Sequence, residues 1–236
     1  MRRVFLARSG PLETRIAPIG RGAVAMIPVY KATYLSGRTI PYERYVALQE
    51  RLRAKRREML LFCHHAPVLT AGVQARPESL RTDDAARSRA GVPVVRIGRG
   101  GDYTAHEPGQ IVIYPHVDLK RRDLKMTSVF ADWLEITAAT LREVWDIEVV
   151  GQKEAPGLYT AAGAKLASIG VMFKSFFTSF GLAVNVANDL GTFDHIHPCG
   201  QAGLDMTSIV REKGDPALSG RFVETWSASF GRWLDA

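Results

Sequence analysis

The sequence predicts an α+β fold. Strand-like and helix-like stretches are mixed along the chain without a regular βαβ alternation. Two long amphipathic helices stand out at 129–145 and 221–235, and an antiparallel pair of strands is expected at 165–173 and 181–186. The 236 residues, 46% hydrophobic and 23% charged, suffice for one full core.

The elements follow in order. Residues 29–36 read as a short strand. A helix is expected over 42–57, with Tyr45, Leu48 and Leu52 at helical spacing. MLLFCHH (59–65) reads as a buried strand, with Cys63 as a small core residue. Residues 73–91 are polar, carry Pro77 and several arginines, and read as loop with at most a helical turn. PVVRIG (93–98) and QIVIYPH (110–116) read as strands flanking a glycine loop, where Gly100 and Gly101 allow a sharp bend and close approach to a ligand. The helix at 129–145 places Phe130, Trp133, Leu134, Leu141, Val144 and Trp145 on one stripe. IEVV (147–150) starts another strand. The last helix aligns Phe222, Trp226, Phe230, Trp233 and Leu234, an aromatic stripe of the kind that forms core.

Charge and composition narrow the function. No apolar run approaches the ~20 residues that span a bilayer. Residues 1–25 are basic, lack a signal-peptide core, and are expected to form a loosely ordered extension; a transit segment or a start at Met26 are the alternatives. One catalytic domain is expected over 26–236. Two cysteines make no disulfide framework, which suggests a reducing compartment, the cytoplasm. The net charge is +7, with clusters at RLRAKRR (51–57) and LKRRDLK (119–125). No aromatic residues interleave them as a nucleic-acid stacking platform requires. A solvated helix face and a docking surface for an acidic protein remain.

The chemistry concentrates in three stretches: RGGDYTAHEPGQ (99–110), GAKLASIG (163–170) and HPCG (197–200). A nucleophilic cysteine needs a neighbour that stabilises its thiolate, and an ammonium group is one such neighbour. Cys199 and Lys165 therefore read as an acyl-transfer pair, although they lie 34 positions apart and only the fold can join them. His195 and His197 alternate with Cys199, and an extended backbone there would project all three to one side. A zinc site is not expected, because no second ligand pair accompanies them.

Together with IVIYPHVDL, GLAVNVANDL and MTSI, these stretches resemble the octanoyltransferases of lipoate biosynthesis, in matching order from about Pro41 to Ile209. The resemblance implies the biotin protein ligase and lipoate ligase fold, a mixed central β-sheet with packed helices. It implies transfer of an octanoyl group from octanoyl-acyl carrier protein to a cysteine, giving a thioester. The group then passes to a lysine on lipoyl domains of 2-oxoacid dehydrogenase complexes or on the glycine cleavage H protein. Cys199 matches the acyl-carrying cysteine, and Lys165 the lysine that activates it. Arg99, Gly100, Gly101, Asp102, Tyr103, Thr104, Ala105, His106, Ser168, Ile169, Gly170, Gly181, Leu182 and Ala183 match segments that line the substrate site. No cofactor, metal, nucleic acid or membrane partner is implied, and no Walker-type loop is found. An ATP-dependent lipoate or biotin ligase of the same fold, and a non-catalytic carrier-protein-binding homologue, are the competing readings. Two departures stand out: Glu107 replaces the glycine usual after the histidine, and Phe180 replaces a histidine usual before GLAVN. The first is expected to alter loop flexibility or charge the entrance. Leu166, Ile169 and Leu182 are expected to form part of the acyl slot, and oxyanion donors to come from N–H groups at Cys199 and Gly200 or from Lys165.

Overall fold

The computed structural model describes residues 29–31, 39–152 and 155–235. The basic stretch at 1–25 and the second half of the first expected strand lie outside these residues. In chain order the strands are β1 (Val29–Lys31), β2 (Met59–Cys63), β3 (Val68–Ala71), β4 (Val94–Arg96), β5 (Tyr103–His106), β6 (Gln110–His116), β7 (Val150–Gln152), β8 (Gly157–Tyr159), β9 (Lys165–Lys174) and β10 (Phe177–Asn185). The helices are α1 (Tyr42–Ala54), α2 (Asp84–Arg89), α3 (Val129–Trp145) and α4 (Ser219–Leu234).

Seven strands form the central sheet in the order β1-β2-β6-β10-β9-β8-β7. The β1/β2 pair is parallel and the others are antiparallel, so the sheet is mixed as expected. A second sheet runs β4-β3-β5, parallel then antiparallel.

Period-two alternation explains why the central strands are apolar throughout. Along β2, Leu60 and Phe62 enter the core beneath α3 and α4, while Met59, Leu61 and Cys63 enter the core beneath α1. Along β6, Ile111 and Ile113 face the first core, and Val112 and Tyr114 the second. The expected aromatic stripes meet in the first core. Trp133 lies edge-on to Phe230 at 6.2 Å, and Phe62 edge-on to Trp226 at 5.7 Å. The buried indole of Trp226 donates to Thr137 Oγ1 at 3.0 Å, so its one polar group is satisfied. The smaller sheet covers the α1 side, with Val68, Val95 and Ile97 packed into the second core.

Several boundaries differ from expectation. Helix α1 stops at Ala54 rather than 57, because Arg56 takes a left-handed φ of 47° and turns its guanidinium onto Asp118. Strand β10 begins at Phe177, four residues before the expected 181. The glycine loop contains β5, and the stretch before residue 72 forms β3. The two strands expected to flank that loop, β4 and β6, belong to different sheets. The 73–91 stretch holds a 3-10 turn and the short α2, whose N-terminus is capped by Asp83 accepting from the Ala86 N–H at 2.7 Å.

Candidate active site

Lys165 opens β9 and is fully buried. Its backbone N–H donates to Asp205 O at 2.8 Å, and its carbonyl accepts from Thr207 N–H at 2.9 Å, which fixes the strand end against the 205–207 segment. The ammonium has three N–H groups and three acceptors. It donates to Ala155 O at 3.1 Å, to Pro156 O at 3.0 Å and to Cys199 Sγ at 3.1 Å. Gly157 makes room for it, since a Cβ there would lie 2.5 Å from Lys165 Cε. Burial pushes the Lys165 amine below its ordinary range; the adjacent sulfur opposes this, and the Arg99 cation adds to it. The fold thus joins the two side chains that the sequence separates by 34 positions.

Cys199 is half-buried on a 3-10 turn, Pro198–Gly200. Its backbone is left-handed, with φ 57° and ψ 21°, a conformation costing a non-glycine residue of order 1 kcal/mol. The turn is tied to the glycine loop. His197 N–H donates to Ser79 O at 2.7 Å, Ser79 Oγ donates to Asp102 Oδ2 at 2.5 Å, and Asp102 Oδ1 accepts from Tyr103 N–H at 2.7 Å. The Gly200 N–H donates to His197 O at 2.9 Å, so this expected oxyanion donor is already engaged. The HIHPC segment is extended only at Ile196 and His197: 3-10 turns hold His195 at one end and Cys199 at the other, and His195 Nδ1 pairs with Thr82 Oγ1 at 2.9 Å. Among the described residues, no three His, Cys, Asp or Glu side chains converge as metal ligands would.

Cys199 borders a cavity of about 620 Å³. Arg99, Gly100, Gly101, Asp102, Tyr103, Thr104, His106, Ser168, Ile169, Gly170, Gly181, Leu182 and Ala183 line it. Ala105 does not: it packs with Leu69 and Phe193 in the core of the smaller sheet. Leu166 is also displaced from its expected place, because it faces the α3–α4 core. The sequence reading missed Tyr42, Val112, Tyr114 and Phe130, which supply apolar wall from α1, β6 and α3. Their positions in ordinary core patterns gave no signal of a cavity.

Arg99 forms the charged wall. It is buried, and its guanidinium donates to Gly100 O at 2.9 Å, Thr70 O at 2.7 Å and Thr70 Oγ1 at 2.8 Å. Its Nε has no partner among the described residues. Gly170 admits it, since a Cβ there would stand 2.9 Å from Arg99 Cδ. His106 pairs through Nδ1 with Gln110 Oε1 at 2.8 Å and stacks on Tyr42 at 5.6 Å. Because Gln110 Nε2 donates to Asn185 Oδ1 at 3.0 Å, Gln110 presents its oxygen to the ring, and His106 Nδ1 carries the proton. Burial pushes His106 down to about 3, so it is neutral near pH 7.

The two departures have structural roles. The Glu107 carboxylate is buried rather than at an entrance. It accepts from Asn188 Nδ2 at 2.8 Å, Leu190 N–H at 2.9 Å and Thr192 N–H at 2.9 Å, clasping the segment that leads to Cys199. Phe180 lines the cavity with a left-handed φ of 63°. Its N–H leaves the sheet ladder and donates to Tyr45 OH at 3.0 Å.

Comparison with known proteins places this architecture. The bi-partite lipoate protein ligase of Thermoplasma acidophilum superposes with a TM-score of 0.63, at 13% identity over 86% of this chain and 82% of that one. A lipoate-protein ligase A bound with ATP gives 0.63, at 15% identity over 87% and 84%. The fold is therefore that of the lipoate ligases. The family model for the lipoyl protein ligase A/B catalytic domain matches residues 41–231, and the chain belongs to that family. An octanoyltransferase of Leptospira borgpetersenii is 42% identical over 83% of this chain and 91% of its own length. One from Leptospira interrogans is 45% identical over 72% and 80%, and one from Neisseria meningitidis 36% identical over 81% and 83%. The chain stands on the octanoyltransferase side of its family, among acyltransferases. Among the described residues, no helix is long and apolar enough to cross a membrane.

Proposed function

We propose that this chain moves an octanoyl group from octanoyl-acyl carrier protein to a lysine of lipoyl domains, those of 2-oxoacid dehydrogenase complexes and the glycine cleavage H protein, through a thioester on Cys199. The observation that carries this reading is the 3.1 Å contact between Lys165 Nζ and Cys199 Sγ at the edge of a largely apolar cavity.

The reaction starts from the form of the pair in which Lys165 is an ammonium and Cys199 a thiolate. The Cys199 sulfur attacks the donor thioester carbonyl, a new C–S bond forms, and the carrier thiolate leaves with a proton from Lys165. The Lys165 amine is then neutral, a state that its burial favours once the thiolate partner is gone. The acceptor amine, itself neutral, attacks the acyl-enzyme. The C–N bond forms, the C–S bond breaks, and the amine proton passes to Lys165, restoring the ion pair. With the Gly200 N–H engaged by His197 O, Lys165 Nζ is a donor already at hand for the developing oxyanion. Ile169, Leu182 and Ala183 offer the tail an apolar wall. The chemistry requires free thiols, in keeping with a reducing compartment such as the cytoplasm, and Cys63 and Cys199 are both free.

Intact-mass spectrometry after mixing the protein with octanoyl-acyl carrier protein tests this reading. Wild type should gain about 126 Da, one octanoyl group in place of hydrogen. The adduct should be absent from Cys199→Ala. An adduct that survives that substitution, or pyrophosphate–ATP exchange driven by lipoate, would replace this reading with another.

A further inference from the structure

The two basic clusters of the sequence meet in the fold. Arg56, at the end of α1, bonds Asp118, and the neighbouring Arg121 and Arg122 bond the buried Glu58. The β9–β10 turn closes the group: Arg56 Nη1 donates to Ser175 O at 3.0 Å, and Leu119 N–H donates to Phe176 O at 2.8 Å. Glu58 and Asp118 are buried beneath the surface they brace, while Lys120, Arg121 and Lys174 remain exposed. Amid these cations Phe176 is 53% exposed. Ser175 and Phe176 both take left-handed φ values, 52° and 60°, which cost non-glycine residues free energy and hold the phenyl ring outward. An exposed aromatic ring rimmed by charge is the anatomy of a protein interface rather than of idle surface.

We infer that Phe176 with the cations around it is the docking surface for the acyl donor, a small acidic protein that carries its acyl group on a long flexible arm. The inference rests on the proposed transfer from carrier protein to Cys199. Strand β9 leads from this surface to the cavity: Phe130 lines the cavity and lies 6.2 Å from Phe173, three residues before Phe176. From Lys174, where β9 enters the turn, back to the cavity residue Gly170 is four residues of β9, roughly 13 Å along the strand. A prosthetic arm bridges that distance. An acceptor lysine side chain is far too short, so an acceptor domain must sit at the cavity mouth instead. Length thus assigns the surface to the donor.

The test compares two donors, octanoyl-acyl carrier protein and octanoyl-pantetheine, in Cys199 acylation by wild type, Lys120→Glu/Lys174→Glu and Phe176→Ser. With the carrier protein, each variant should lose roughly tenfold in kcat/KM, and the wild-type rate should fall with salt. With octanoyl-pantetheine, the variants should match wild type. Equal losses on both donors, or none on either, overturn the inference. So does a raised KM for the lipoyl domain with donor steps unchanged, which would assign the surface to the acceptor. A wild-type protein acylated by neither donor removes the proposed function itself; acylation that the variants leave untouched removes only the docking surface.

Discussion

Lys165 is the residue at which structure and chemistry are most tightly bound. Its ammonium is buried, satisfied by two carbonyls and one sulfur, and held below the ordinary lysine range. Only a charged lysine makes all three bonds, and only a lysine whose amine is easily neutralised can also take a proton from an acceptor. Lys165→Ala should therefore slow both halves of the reaction. It should also slow iodoacetamide alkylation of Cys199 at pH 7 by about tenfold or more, because the sulfur loses the amine 3.1 Å away. An alkylation profile against pH that matches wild type would show that the contact does not activate the thiol. The sequence made this pair legible by residue type and surrounding glycines, not by position. It did not disclose what Glu107 does. A carboxylate in place of glycine looked like an entrance charge, whereas it is the acceptor for three donors in the 188–192 segment. Its partners are more than 80 residues away, beyond any local pattern.

Among the elements, the β9–β10 hairpin was legible because KLASIGVMF and GLAVNV are two largely apolar runs of strand length. The bend within β10 was not. In register Phe180 falls opposite Pro115, whose carbonyl accepts from Thr178 Oγ1 at 2.6 Å, and the β6–β10 ladder runs only from Leu182 to Asn185. The freed Phe180 N–H turns to Tyr45 OH, one layer away on α1, and the left-handed backbone turns the ring into the cavity wall. A helix tyrosine thus satisfies a strand amide. Tyr45→Phe keeps the ring that stacks on Tyr114 at 3.6 Å but removes the acceptor. It should cost about 1–3 kcal/mol in urea unfolding, the price of one buried N–H left without a partner. A loss under about 0.5 kcal/mol would mean that the amide finds another acceptor and that the bend stands without α1. Strand β5 escaped the sequence for a related reason. YTAH looks like the tail of a glycine loop, and only pairing with β3 makes it a strand.

For the molecule as a whole, the layer between the two sheets encloses an aromatic and histidine cluster that burial keeps neutral near pH 7. His65 bonds Ile40 O at 2.6 Å and Tyr114 OH at 2.9 Å, His106 bonds Gln110, and His116 approaches Thr178 O at 3.3 Å. Burial drives all three down, to about 4, about 3 and about 4. In the unfolded chain each returns to an ordinary value near 6.5. Below that value the unfolded state binds protons that the folded state refuses, so stability falls as pH falls from about 6.5 toward about 4, and is unaffected by these groups above that window. Glu58 and Asp118, held low by their arginines, lose stability only in a more acidic range, so pH 5 isolates the histidines. Each histidine should contribute a loss of about 2 kcal/mol between pH 7 and pH 5. Urea unfolding at the two pH values reads the sum directly. His116→Phe, which leaves the stack on Phe177, should remove about a third of the difference. Equal stability at pH 7 and pH 5 would mean that the folded protein protonates these rings freely, and that the layer behind the cavity is open to water.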